Sequence, residues 1–183
     1  MKHSLTIPAI LMMTFAPVAV AEAGFYAEAG YARYGIDIVE QDFNPGAFQV
    51  RGGYMLNSYF GVELEGTIGI HDDSVSDAGS RLTIELDHTV AASLVGRLPL
   101  SERLQIIGRI GHQTINLKVS GEAVGEETVR QSGNDDGGVL GAGLEYRFEQ
   151  FGLRADYTRS DEASPFPASD RVEVLSIGLS RKF

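Results

Sequence analysis

Apolar and polar residues alternate with a period of two along most of this chain. Between Leu82 and Leu98 the even positions read Leu82, Ile84, Leu86, His88, Val90, Ala92, Leu94, Gly96 and Leu98. The odd positions read Thr83, Glu85, Asp87, Thr89, Ala91, Ser93, Val95 and Arg97. Such a period puts successive side chains on opposite faces of a strand. Seventeen residues of one parity exceed the usual strand of about 5–6 residues. They suit a tilted strand that crosses a bilayer and projects beyond it. Phe60, Val62, Leu64, Ile68 and Ile70 alternate in the same way with Gly61, Glu63, Glu65, Thr67 and Gly69. The pattern predicts eight strands, over residues 25–34, 48–56, 59–70, 82–98, 104–116, 138–148, 151–159 and 172–183. A break in parity near Ile115 to Val119 marks either a bulge or the end of the fifth strand.

The predicted connections alternate in length. Asn57-Ser58, Pro99 to Arg103 and Glu149-Gln150 are short, whereas Gly35 to Ala47, His71 to Arg81, Leu117 to Gly137 and Ser160 to Arg171 are long. Short turns on one side and long loops on the other imply an antiparallel, up-and-down transmembrane β-barrel of eight strands. Both termini then lie on the short-turn, periplasmic side. Phe25, Tyr26, Tyr54, Tyr59, Phe60, Tyr146, Phe148, Phe151 and Phe183 fall near strand ends on that side, as an interfacial girdle would. Tyr34, Phe48 and Tyr157 are candidates for a sparser outer girdle.

The terminal segment Val174-Leu175-Ser176-Ile177-Gly178-Leu179-Ser180-Arg181-Lys182-Phe183 resembles the last strand of bacterial outer-membrane β-barrels. In those proteins the final aromatic is read by the barrel-assembly machinery, which makes Phe183 the expected assembly signal. Arg181 departs from the apolar residue usual two places before the end, and a long cation can snorkel to headgroups there. With Gly141-Ala142-Gly143-Leu144-Glu145-Tyr146-Arg147-Phe148, the chain resembles the small outer-membrane barrel family that includes the OmpA transmembrane domain and OmpX. The resemblance implies a cell outer-membrane location in a Gram-negative envelope and contact with outer-membrane lipids, including lipopolysaccharide.

The N-terminus agrees with that location. Lys2 precedes an apolar run from Leu5 to Val20, and Ala19-Val20-Ala21 fits a small-residue cleavage site. Residues 1–21 are therefore expected to be a signal peptide and residues 22–183 one barrel domain. Beyond residue 21 no run reaches the roughly 18 apolar residues of a membrane helix. The chain has no cysteine, so no disulfide framework is expected. Its formal net charge of -10 becomes -11 without Lys2, which argues against nucleic acid as a partner.

If the apolar parity faces lipid, the other parity lines the lumen. That set holds Glu28, Glu63, Glu65, Glu85, Asp87, Glu145 and Asp156, and it holds Arg51, Arg97, Arg109, Arg147, Arg154 and Lys182. Eight strands enclose a space just wide enough for side chains. Near balance there predicts an ion-pair network that plugs the lumen, since unpaired charges would be very costly. The expected members are Arg51, Glu63, Glu65, Arg97, Arg109, Glu145, Arg147, Arg154 and Asp156.

The long loops are acidic, with Asp37, Glu40 and Asp42 in the first and Glu122, Glu126, Glu127, Asp135 and Asp136 in the third. A solvated surface explains them, but they could also share divalent cations with lipopolysaccharide phosphates or meet a basic extracellular partner. His71, His88 and His112 offer little to an enzyme. No Ser lies two residues from His88 or His112, and their spacing gives no metal-ligand motif. No cofactor is expected. The expectation is a non-enzymatic barrel with a structural or surface-interaction, adhesin-like role. A narrow channel for ions or small solutes is the alternative, and a lipid-modifying enzyme comes third.

Overall fold

The computed structural model describes residues 23–38, 41–77, 80–123, 129–161 and 171–183. The expected signal peptide and its cleavage site lie outside them. Eight strands form the wall: β1 (Gly24–Ile38), β3 (Gly46–Met55), β4 (Phe60–His71), β6 (Ser80–Pro99), β7 (Leu104–Ala123), β8 (Val129–Phe148), β9 (Phe151–Asp161) and β10 (Arg171–Lys182). Two short strands, β2 (Gln41–Phe43) and β5 (Asp73–Asp77), pair with β1 and β6 on the long-loop side. Each wall strand pairs antiparallel with its neighbour in sequence. β10 then pairs back onto β1, from Tyr26↔Lys182 to Ile36↔Val172, and closes the barrel. Closure leaves the membrane-embedded backbone no unpaired edge, which a lipid environment requires.

The outer wall is apolar. Phe48, Val50, Val62, Leu64, Ile68, Val90, Leu94, Ile110, Leu140, Leu144, Leu175, Ile177 and Leu179 all point away from the lumen. In water this belt would be an aggregation surface, whereas against acyl chains it is the solvent-matched face. Phe25, Tyr59, Phe60, Tyr146, Phe148 and Phe183 ring the short-turn end, and Phe25 packs against Tyr54 at 4.7 Å. Arg181 lies there too, 5.2 Å from the Phe183 ring and 5.8 Å from that of Phe151. Tyr26 departs from the expected girdle. It shares parity with Glu28, turns into the lumen, and donates to Glu63 at 2.7 Å. Tyr34 departs likewise from the outer girdle, where Phe48 and Tyr157 do face outward.

The single parity expected from Leu82 to Leu98 does not hold. The β6–β7 register shifts between Leu86 and His88, leaving Asp87 as an extra residue. A bulge of one residue reverses the facing of everything beyond it. His88, Val90, Leu94 and Leu98 face lipid, whereas Leu86, only 1% exposed, points inward. Asp87 therefore leaves the lumen set and bonds Lys118 Nζ at 2.7 Å. Glu85 alternates with the buried Leu86 and leaves that set with it.

The parity break in β7 has a different origin. That strand neither bulges nor ends. It continues to Ala123 with Gln113, Ile115 and Leu117 all facing inward. What changes is the lumen, which becomes apolar at its outer end. Most of the expected Leu117–Gly137 loop is accordingly a continuation of the β7–β8 ladder, paired as far as Gly121↔Val129.

Leu86→Ala should lower the free energy of unfolding by about 2–4 kcal/mol, the cost of a core cavity. Val90→Ala, on the lipid face at 57% exposure, should cost about 1 kcal/mol. Urea unfolding in lipid vesicles compares the two. Equal costs would argue against the inward turn of Leu86.

Candidate functional site: the barrel lumen

The lumen is organised in layers because each wall strand contributes one inward side chain per two residues. At mid-height three arginines meet four carboxylates. Arg51 of β3 reaches Glu28 at 2.6 Å, Glu65 at 2.7 Å and Asp156 at 2.9 Å, and it donates to Ser176 at 3.1 Å. Arg109 of β7 reaches Glu65 at 2.6 Å and Glu63 at 2.9 Å. Arg154 of β9 reaches Glu63 at 2.7 Å and Asp156 at 2.8 Å, with Glu28 at 3.4 Å. Each arginine contacts at least two carboxylates, and each carboxylate except Glu65 is almost wholly out of water. The cluster joins side chains from β1, β3, β4, β7, β9 and β10 across the barrel.

Two features make the cluster fit. Guanidinium presents several donors in a planar fork, so one arginine can serve carboxylates on different strands. Glycine on the inner face clears the space they occupy. A Cβ on Gly178 would stand 2.6 Å from a Glu28 oxygen, and one on Gly141 would stand 2.8 Å from Arg109 Cγ.

Above this cluster lie neutral polar side chains, including Gln49, Thr67, Thr89, Gln113 and Thr158. Tyr34 bridges upward from them, its hydroxyl 3.4 Å from Thr89 Oγ1. The outermost layer is apolar: Ala32, Tyr34, Ile36, Phe43, Ala47, Leu86, Ile115, Leu117, Val172 and Val174 pack together. Phe43 enters from β2, whose return against β1 folds it over the opening.

Of the nine side chains expected to interact, six lie in the central cluster: Arg51, Glu63, Glu65, Arg109, Arg154 and Asp156. Glu28 joins them. Arg97, Glu145 and Arg147 do not. Glu145 is opposite Arg154 in backbone register, yet its carboxylate accepts from Gln105 and Ser180 lower in the barrel. Arg97 approaches it only to 3.8 Å. Arg147 is one register pair from the β8–β9 turn, out of reach of the central carboxylates, and its Nη2 lies 3.5 Å from the Glu102 carbonyl oxygen. The neutral partners Tyr26, Gln105, Ser176 and Ser180 and the apolar layer were missed. Their parity was legible, since each alternates with a lipid-facing residue, but charge alone does not mark them.

Of the three described strand histidines, His71, His88 and His112, two lie near a carboxylate. His88 Nδ1 lies 3.2 Å from Asp87 and His112 Nε2 4.0 Å from Asp136, both on the exposed outer face. Among the described residues no three His, Asp or Glu side chains are grouped to hold a metal ion.

Replacing Arg154 by Met should lower the free energy of unfolding by about 3–5 kcal/mol, because it strands buried carboxylates. Adding Glu63→Gln to that variant should recover part of the loss. If Arg154→Met is neutral in urea titrations, the cluster does not stabilise the barrel.

No curated protein sequence matches the chain. Among solved structures it is similar to Ail of Yersinia pestis in complex with the heparin analogue sucrose octasulfate. The identity is 18%, with 89% of this chain and 100% of that one covered and a TM-score of 0.63. Neisserial surface protein A (NspA) matches at 16% identity, 91% and 100% coverage and a TM-score of 0.64. The N-terminal β-barrel domain of Pseudomonas aeruginosa OprF matches at 14%, 88% and 100%, with a TM-score of 0.55. These likenesses are of fold. The outer membrane protein beta-barrel domain profile matches residues 5–183. With a closed eight-stranded wall, an apolar exterior and a polar lumen, the chain belongs to that family of outer-membrane β-barrels.

Proposed function

We propose that the protein is a non-enzymatic barrel whose lumen is closed and whose function lies on its outer surface, in a structural or surface-interaction role. The observation that carries this reading is the double obstruction of the lumen. A charge cluster spans its middle, and a packed apolar layer covers its outer end. Water and ions crossing it would have to separate buried ion pairs and then wet an apolar constriction, both unfavourable.

The outward surface supports an interaction role. β6, β7 and β8 are 20 residues each, and the β6–β7 and β7–β8 pairings run several residues beyond the end of β9. Asp72, Asp87 and Asp136 lie exposed or half-exposed on that side, and the long loops add more acids. Such a rim suits a basic protein surface or divalent cations shared with lipopolysaccharide. It suits a polysulfated ligand, such as the heparin analogue in the Ail complex, poorly. Export by a signal peptide cleaved after Ala21 and assembly through Phe183 complete the proposal.

Single-channel recording of the refolded mature protein tests closure. The wild type should be silent, and Arg109→Ala should give small, flickering currents because Glu63 and Glu65 lose a shared partner. A steady wild-type current would overturn the reading and favour a narrow solute channel.

A further inference from the structure

We propose that the lumen holds a sealed water site between the central charge cluster and the apolar layer above it. On β3, Gln49 stands between Arg51 of the cluster and Ala47 of the apolar layer. On β4, Thr67 is the next inward residue above Glu65, and on β7, Gln113 is the next one below Ile115. Gln49 and Thr67 are register partners, as are Thr67 and Thr89. Gln113 and Glu65 share a row through Ala91, which pairs with both. Four strands therefore bring neutral polar side chains to one level of the lumen.

Nε2 of Gln49, Oγ1 of Thr67 and Nε2 of Gln113 are buried and have no hydrogen-bond partner among the described residues. They differ from Glu28, Glu63 and Arg109 in the cluster, whose remaining polar atoms belong to groups already paired with an opposite charge. A neutral amide or hydroxyl kept dry and unbonded is costly, so such groups call for a partner. This level also has room for one. Thr158 keeps 7% of its surface open, Gln113 keeps 4% and the Glu65 side chain 10%. Ile36, Ile115, Leu117 and Val172 above them and Arg154 below are at 0%. Open surface enclosed between two closed layers marks a gap that takes a water molecule.

Water fits this set better than an ion. It accepts from the two amides while donating to the Glu65 carboxylate or a threonine hydroxyl. An anion would sit against the four carboxylates beneath, and a cation against amide N–H donors. Closure of the lumen is a premise here, since an open pore would hold only water in transit.

The refolded mature barrel in nanodiscs carries the test. Oxygen-17 relaxation dispersion counts waters held for longer than nanoseconds, and water-to-protein Overhauser contacts at the Gln49 and Gln113 side-chain amides locate them. The wild type should show such waters and such contacts. Thr158→Leu, which fills the gap, should weaken the Gln113 contact about threefold or more and lower the count. Gln113→Leu removes a donor rather than the space and should lower the count independently. Both residues lie outside the central cluster, so the barrel should still fold. Single-channel recording of the same preparation separates the two ways of failing. A silent barrel with no long-lived water, or with long-lived waters that both variants leave unchanged, overturns this proposal and spares the closed lumen. A steady current with only fast-exchanging water overturns both.

Discussion

Everything in this barrel follows from the need to neutralise charge inside a closed wall. Eight strands leave a lumen that side chains fill, so an inward Glu or Arg cannot be rescued by bulk water. The partner has to come from across the barrel. Arg51 on β3 and Asp156 on β9 are separated by 105 residues in sequence, yet they meet at 2.9 Å. The cluster acts as a cross-brace between strands that share no backbone hydrogen bond. It also dictates smaller choices. Gly141 and Gly178 leave room for arginine and glutamate, and Tyr26 and Ser176 satisfy a carboxylate and a guanidinium that arginines and acids leave partly served.

Charge compensation changes along the axis, and with it the character of each end. The short-turn mouth holds Arg97 and Arg147 with Glu145, the middle sets three arginines against four carboxylates, and the outer lumen dispenses with charge. The transition to the apolar layer coincides with the bulge at Asp87, which brings Leu86 into the lumen and takes Asp87 out of it to Lys118. One extra residue thus replaces a charge that would lie buried beside Ile115 and Leu117 with a fitting apolar side chain. The outer ladder can then continue into water with its polar residues exposed.

The wall was legible in the sequence because period-two alternation is a local property and lipid rewards it on every strand. Strand order, turn lengths and the inward placement of Arg51, Glu63, Glu65, Arg109, Arg154 and Asp156 followed from parity alone. Parity says which way a side chain faces, however, and not how high it reaches. Glu145 and Arg154 are register partners that go separate ways, because Gln105 and Ser180 serve one while Glu63 and Asp156 serve the other. The bulge was invisible for a related reason. Leu82 to Leu98 alternate without a break in sequence, and only the pairing with β7 reveals that Asp87 has no partner residue. The apolar layer is hidden in the sequence because an inward apolar residue looks the same there as a lipid-facing one, and only the structure shows Ile36, Leu86, Ile115 and Val172 packing on each other.

The most direct test of the brace is a double-mutant cycle on Arg51 and Asp156, by reversible urea unfolding in lipid vesicles. Arg51→Gln, Asp156→Asn and the double variant should show a coupling free energy of about 1.5–3 kcal/mol, as expected for interacting buried partners. Additivity within about 0.5 kcal/mol would mean that the two strands are held without the charge cluster, and the account given for the lumen would fail.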